Sequence, residues 1–340
     1  MKTHFSFPGI GIGTHLLNQT AFTLFGVIEV RWSGIVTLCG ILLSLLCAAL
    51  FCKYRERIGG GAVLDACLAA ILSGFVGARA LYVLLTLETG AYKDFWSVIG
   101  IPHGGTSVWG ALLGGAIGIA VTARIKRVPW KRLFDAAAPA SLLAQAVCAW
   151  RVLFNGAVPG AFIGNETAFD LLGWHLTLPS GEGTLFHALR MGLEKYGVFA
   201  YYHPAFLYEC VWCLVGFIVL CILYKHKKFN GQVALTALSW YGLGSLWIDG
   251  FRADVTYIGG TSVRFSQCVG LFCAVAATVA LVLLCRRYAE NDPFARPVPP
   301  HPDDTQWKNK EDNALSRAFE RALSRRKTNH EEKTKHGNKN

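Results

Sequence analysis

Seven stretches of this 340-residue chain are apolar for long enough to cross a bilayer, and no other feature restricts its fold so tightly. A helix rises about 1.5 Å per residue, so roughly 20 apolar residues span ~30 Å of hydrocarbon. The stretches are 33–52, 61–85, 104–123, 135–153, 204–224, 231–247 and 265–285. The fourth and sixth are the least apolar, because of Arg151 and of Gly and Ser content, so six and eight are the neighbouring counts. The composition, 53% apolar and 16% charged, also departs from a soluble domain, where about 25% is charged.

Charge placement tests the count. Cytoplasmic loops of membrane proteins collect Lys and Arg. If 53–57, 124–132, 224–228 and everything after residue 285 share one side, that side holds 24 basic residues and the other holds seven. Strict alternation of seven spans gives this partition. The expectation is therefore an all-α integral membrane protein of about seven transmembrane helices, with its N-terminus outside and its C-terminus cytoplasmic. A membrane domain covers 1–288, and the long loop 156–203 between helices four and five forms a small extracytoplasmic cap. A basic tail, 289–340, begins with a Pro/Asp linker and carries a possible short helix capped by Asp312 or Asn313. The first ~30 residues lack the layout of a cleavable signal peptide, so the first span serves as the insertion signal.

The net charge of +11 sits mostly in the cytoplasmic loops and tail, where positive-inside bias and anionic headgroups account for it without nucleic acid. The eleven cysteines lie mostly inside the spans and read as small apolar packing groups, with no metal spacing in a polar loop.

Ionisable residues at membrane depth usually face a partner or a wet cavity. Here they are Asp65, Arg79, Arg151, His203, Glu209, Asp249, Arg252 and Asp254. All but Asp65 fall near the outer ends of the spans, which suggests one external pocket. Guanidinium groups grip phosphate through paired hydrogen bonds, so Arg79, Arg151 and Arg252 are candidates for a phospholipid headgroup. The competing reading is interfacial snorkelling with Asp–Arg pairing, for example Asp249 with Arg252. In "HPAFLYE" (203–209), Pro204 opens the fifth helix, and the spacing of His203, Tyr208 and Glu209 does not put all three on one face. The motif is expected to divide its roles between packing and cavity. In "IPHGGTSVWGALLGG" (101–115), Gly104 and Gly105 permit an irregular entry into the membrane, while Gly110, Gly114 and Gly115 offer small-residue surfaces for close helix packing.

"FPGIGIGTHLLNQTAFTLFGVIEVRWSG", "GARALYVL", "GGTSVWGALLGG", "DAAAPASLLAQAV", "HPAFLYE" and "DGFRAD…VRFSQ" follow one another as in the prolipoprotein diacylglyceryl transferase family, which the chain resembles over roughly residues 6–287. The resemblance implies a multi-pass enzyme of the bacterial inner membrane. It would transfer the diacylglyceryl group of phosphatidylglycerol to the lipobox cysteine of a prolipoprotein signal peptide, among membrane lipids and without a cofactor. Carried onto this chain, it makes His203, Glu209, Tyr208 and His103 the catalytic candidates. Arg79, Arg151, Arg252, Gly104 and Gly105 are the phosphate and lipid candidates, and Asp249, Asp254 and Gln267 support them. The chain also departs from the family pattern. Ser33 stands in place of Tyr, Trp109 in place of His, Ala149 and Val152 in place of Arg and Asn, Ser245 in place of Arg, and Asp249 in place of Glu. Arg151 is two residues from the expected arginine, a rotation of roughly 200° on an ideal helix, and substitutes for it only if the helix is locally irregular. Two other readings stay open: a homologue that binds lipid or lipoprotein without transferring, and a transporter or scaffold.

Overall fold

The computed structural model describes residues 2–24, 28–87, 105–195, 198–258 and 261–291. His103, Gly104 and the tail beyond residue 291 lie outside the described residues. Seven long helices stand where the seven apolar stretches were read. They are α1 (Trp32–Phe51), α2 (Gly60–Thr86), α3 (Val108–Lys126), α4 (Trp130–Cys148), α7 (Ala205–Lys225), α8 (Gln232–Ile248) and α9 (Phe265–Asn291); α5 (Arg151–Phe154) and α6 (Leu185–Leu189) are short. Six of the long helices are long and apolar enough to cross a membrane. The other, α8, has 17 residues.

The all-α expectation needs correction, because among the described residues eight strands gather at one end of the bundle. Strands β1 (Lys2–Phe7), β2 (Ile12–Asn18), β7 (Met191–Lys195) and β8 (Val198–Tyr202) form an antiparallel sheet in the order β2-β1-β7-β8. Two hairpins flank it, β3 (Thr20–Leu24) with β4 (Ile28–Arg31) and β5 (Glu166–Leu171) with β6 (Trp174–Pro179). The segment 156–203 thus does not form a cap alone: β1 pairs with β7, His4 opposite Glu194 and Phe5 opposite Leu193. That pairing joins segments nearly 190 residues apart, which no local periodicity encodes.

The core ties this sheet to the helices. Ala138, Leu142, Ala146 and Ala149 of the α4 segment pack on Phe206, Cys210, Cys213 and Leu220 of α7, on Val233 and Ala237 of α8, and on Met191 and Leu193 of β7. All eleven cysteines are free, as packing groups should be. Helices α2 and α3 cross so closely that a Cβ on Gly77 would lie 3.0 Å from the Gly114 Cα, and one on Gly110 would lie 2.8 Å from the Leu81 Cβ. Gly115 lies in the same crossing with more room, since a Cβ there would meet Ala70 O of α2 at an ordinary 3.5 Å.

At the end of the bundle away from the sheet, buried charges lock four helices. Glu56, 2% exposed, accepts from Arg132 Nε (2.9 Å), Tyr224 Oη (2.5 Å) and Lys227 Nζ. Asp135, fully buried, accepts from Lys227 Nζ (3.2 Å) and from the backbone N–H groups of Gly231 (2.8 Å) and Ala234 (3.0 Å). Two carboxylates face two cations, so the cluster is neutral and every oxygen is served. Asp65 pairs with Lys126 at the same end, with both side chains over 40% exposed.

Candidate functional site

At the sheet-bearing end, α1, α2, α3, α4, α5 and α7 surround an open cavity of about 160 Å³. Its wall includes Thr37, Ser107, Gln145, Cys148, Arg151, Glu209 and Arg252. The residues gathered here are polar side chains on otherwise apolar helices, the arrangement expected of a wet site at membrane depth.

Arg151 reaches the cavity because α4 breaks. Its last helical residue is Cys148, Ala149 and Trp150 form a turn, and α5 starts at Arg151. The irregularity that a displaced arginine requires is therefore present. Among the described residues, no side chain forms an ion pair with Arg151, so its full charge faces the cavity.

Arg252 is placed differently. Its Nη1 donates to Glu209 Oε2 (3.1 Å), and its Nε and Nη2 donate to the two carboxylate oxygens of Asp254 (3.0 Å each). Asp249 Oδ1 lies 3.8 Å from Nε, so the Asp249–Arg252 pairing read from the sequence is present. With three carboxylates around it, Arg252 keeps little net charge for a phosphate. Glu209 is held from both sides, since Gln145 Nε2 donates to its Oε1 at 2.5 Å. Gln145 was not singled out in the sequence, although a lone amide among the apolar residues of "PASLLAQAV" was the available signal.

The "HPAFLYE" segment does divide its roles. Glu209 lines the cavity; His203 and Tyr208 do not. His203 is fully buried, with Nδ1 3.2 Å from Tyr208 Oη and Nε2 3.0 Å from Thr167 Oγ1 of β5, and its ring lies 4.6 Å from that of Phe251. Burial in this aromatic nest pushes its pKa down to about 4, so the imidazole is neutral and joins the β5–β6 hairpin to the start of α7. Gln267 fastens the same hairpin from α9, its Nε2 donating to Asp170 O (2.7 Å) and its Oε1 accepting from Leu172 N (2.9 Å). Asp170 also accepts from Arg264 and, at 2.5 Å, contacts His175. Burial would raise the Asp170 pKa, but these two partners outweigh it and hold the carboxyl below its ordinary value. Asp170, Arg264 and Thr167 were not legible as a set, because the hairpin that unites them is a tertiary arrangement.

Arg79 also lies off the cavity wall: its Nη1 donates to Gly105 O (3.0 Å). Gly105 has φ 84°, a left-handed conformation that suits glycine, and packs against Tyr82. Arg79 and Gly105 thus shape the entry to α3. Trp109, 8% exposed, is not among the residues that line the cavity and makes an edge-to-face contact with Tyr241 at 5.3 Å. Ser245 is buried and donates to Gly242 O (3.1 Å) within α8. Ala149 and Val152 line the cavity as apolar wall.

Comparison with known proteins bears on this geometry. A family model described as prolipoprotein diacylglyceryl transferase matches residues 19–283. A phosphatidylglycerol–prolipoprotein diacylglyceryl transferase of Clostridium perfringens is 31% identical over 278 residues, which cover 80% of this chain and 96% of the relative. The enzyme of that name from Listeria innocua is 31% identical over 286 residues, 84% of this chain and 95% of the relative. The one from Clostridioides difficile is 29% identical over 277 residues, 81% and 98%.

Proposed function

The chain belongs to the prolipoprotein diacylglyceryl transferase family, and on that premise we propose that it moves the diacylglyceryl group of phosphatidylglycerol to a prolipoprotein thiol in the cavity between Arg151 and Glu209. The observation that carries this reading is that an unpaired cation and a held carboxylate face one cavity.

The chemistry needs those two groups. Glu209 takes the proton of the lipobox cysteine, and the thiolate attacks the diacylglycerol carbon that bears the phosphate. The C–O bond to phosphate breaks, a C–S thioether forms, and glycerol phosphate leaves with one more negative charge than the diester carried. Arg151 stabilises that developing charge. Arg252, neutralised by Asp249 and Asp254, holds Glu209 in place. His203, Tyr208 and Gln267 position the hairpin and the head of α7, while Arg79 with Gly105 shapes the mouth.

Around this site we place seven crossings, α8 included, with the sheet and the N-terminus on the outer face of the bacterial inner membrane and the basic loops and tail in the cytoplasm. The 24-to-seven partition of basic residues supports that orientation. The sheet then stands where a lipobox signal peptide arrives. The readings without transfer, as a lipid-binding homologue or a transporter or scaffold, have no observation in their favour.

The test is transfer by purified protein from phosphatidylglycerol vesicles to a lipobox peptide, read as the mass gain of a diacylglyceryl thioether. Wild type yields the product, and Glu209→Gln lowers the rate about 100-fold or more. Product formation by Glu209→Gln at the wild-type rate contradicts the assignment of the base.

A further inference from the structure

One polar side chain of the cavity is used above only to hold Glu209 in place. Gln145 lies near the end of α4 and lines the same wall as Arg151 and Glu209. The orientation of its amide is fixed by chemistry. An ionised carboxylate only accepts hydrogen bonds, so the group 2.5 Å from Glu209 Oε1 is the NH2, and the amide oxygen is left as an acceptor. Among the described residues, no group donates to that oxygen. Ser107, on the same wall, accepts from Gly110 N (3.4 Å) as the N-cap of α3, which leaves its hydroxyl proton to donate elsewhere. The cavity therefore offers a cation, an amide acceptor and a hydroxyl.

We propose that Gln145 selects the lipid headgroup: its amide oxygen accepts a hydrogen bond from a headgroup hydroxyl while Arg151 holds the adjoining phosphate. The inference rests on the reading of this cavity as the transfer site. A glycerol headgroup both donates and accepts, and so satisfies Gln145 Oε1 and the Ser107 hydroxyl together. A headgroup without hydroxyls leaves the amide oxygen without that hydrogen bond, and a site built to bond a hydroxyl discriminates against a ligand that lacks it. Glu209 has a second use in this arrangement, because its charge keeps the amide from flipping.

The experiment compares transfer from phosphatidylglycerol with transfer from the analogue whose headgroup is n-propanol, in vesicles otherwise identical, for wild type, Gln145→Leu and Gln145→Met. Wild type favours phosphatidylglycerol by roughly tenfold or more. Both variants lose most of that preference, to within about threefold, by losing rate on phosphatidylglycerol rather than on the analogue. If a variant transfers from neither lipid, the ratio of the two lipids retained by the purified protein, measured by mass spectrometry, gives the preference without turnover. A wild-type preference in the Leu and Met variants, in transfer or in retention, overturns the proposal. Glu209→Gln separates the two readings: full activity in that variant removes Glu209 as base, while the headgroup ratio of wild type against Gln145→Leu and Gln145→Met still decides the role of Gln145.

Discussion

Lys227→Met removes one charge from the buried cluster at the end of the bundle opposite the cavity and keeps most of the side-chain volume. Lys227 serves both Glu56 and Asp135, so its loss leaves two buried carboxylates with one cation, Arg132. Removing one partner of a buried pair costs 3–5 kcal/mol. Here Glu56 retains Arg132 and Tyr224, and Asp135 retains the N–H groups of Gly231 and Ala234, which places the loss near the lower end, about 3 kcal/mol. At about 2 °C per kcal/mol for a chain of this size, detergent-solubilised protein should melt about 6 °C lower. The control is Lys126→Met, whose pair with Asp65 is over 40% exposed on both sides, where the loss is at most about 1 kcal/mol. The melting curves follow from tryptophan fluorescence. Equal shifts for Lys227→Met and Lys126→Met would refute the reasoning, since a buried shared cation and an exposed one would then count alike.

His203 is held neutral by burial, its pKa down to about 4 from an unfolded value near 6.5. The unfolded chain thus takes the proton first. The stability contributed is whole above about pH 6.5 and falls by about 3 kcal/mol as pH drops toward 4. Melting temperature against pH tests this: His203→Gln should show a shallower acid decline, and an unchanged slope argues against it. The α2–α3 crossing predicts a contrast between glycines. Gly110→Val meets Leu81 and the Gly77 backbone and should lose about 1–3 kcal/mol, while Gly115→Ala is near neutral in the same melting assay. Similar melts for both variants would count against the close crossing.

The seven helices were legible because hydrocarbon thickness sets their length, and each apolar stretch carries its own signal. The cavity was partly legible: Arg151, Glu209, Arg252, Asp249 and Asp254 stand out as charges on apolar segments, and the need for an irregular helix at Arg151 followed from its offset. What Arg252 does was not legible, because its three carboxylates come from α7, from the turn after α8 and from its own loop. The same holds for His203, whose role depends on Thr167, 36 residues away in sequence. The sheet was missed because β1 and β7 pair across most of the chain, and the packing of Trp109 on Tyr241 was not legible because the two stand on helices far apart in sequence.

The central claim is that Arg151, and not another outer-end arginine, holds the phosphate during transfer. The rate of thioether formation from phosphatidylglycerol, measured side by side for Arg151→Ala and Arg79→Ala, tests it most directly. Loss of a cation that stabilises the leaving phosphate should lower the Arg151→Ala rate about 10²–10³-fold. The Arg79→Ala rate should fall far less, because Arg79 is bonded to Gly105 O off the cavity wall. An Arg151→Ala protein that transfers as fast as wild type, or faster than Arg79→Ala, would contradict the account.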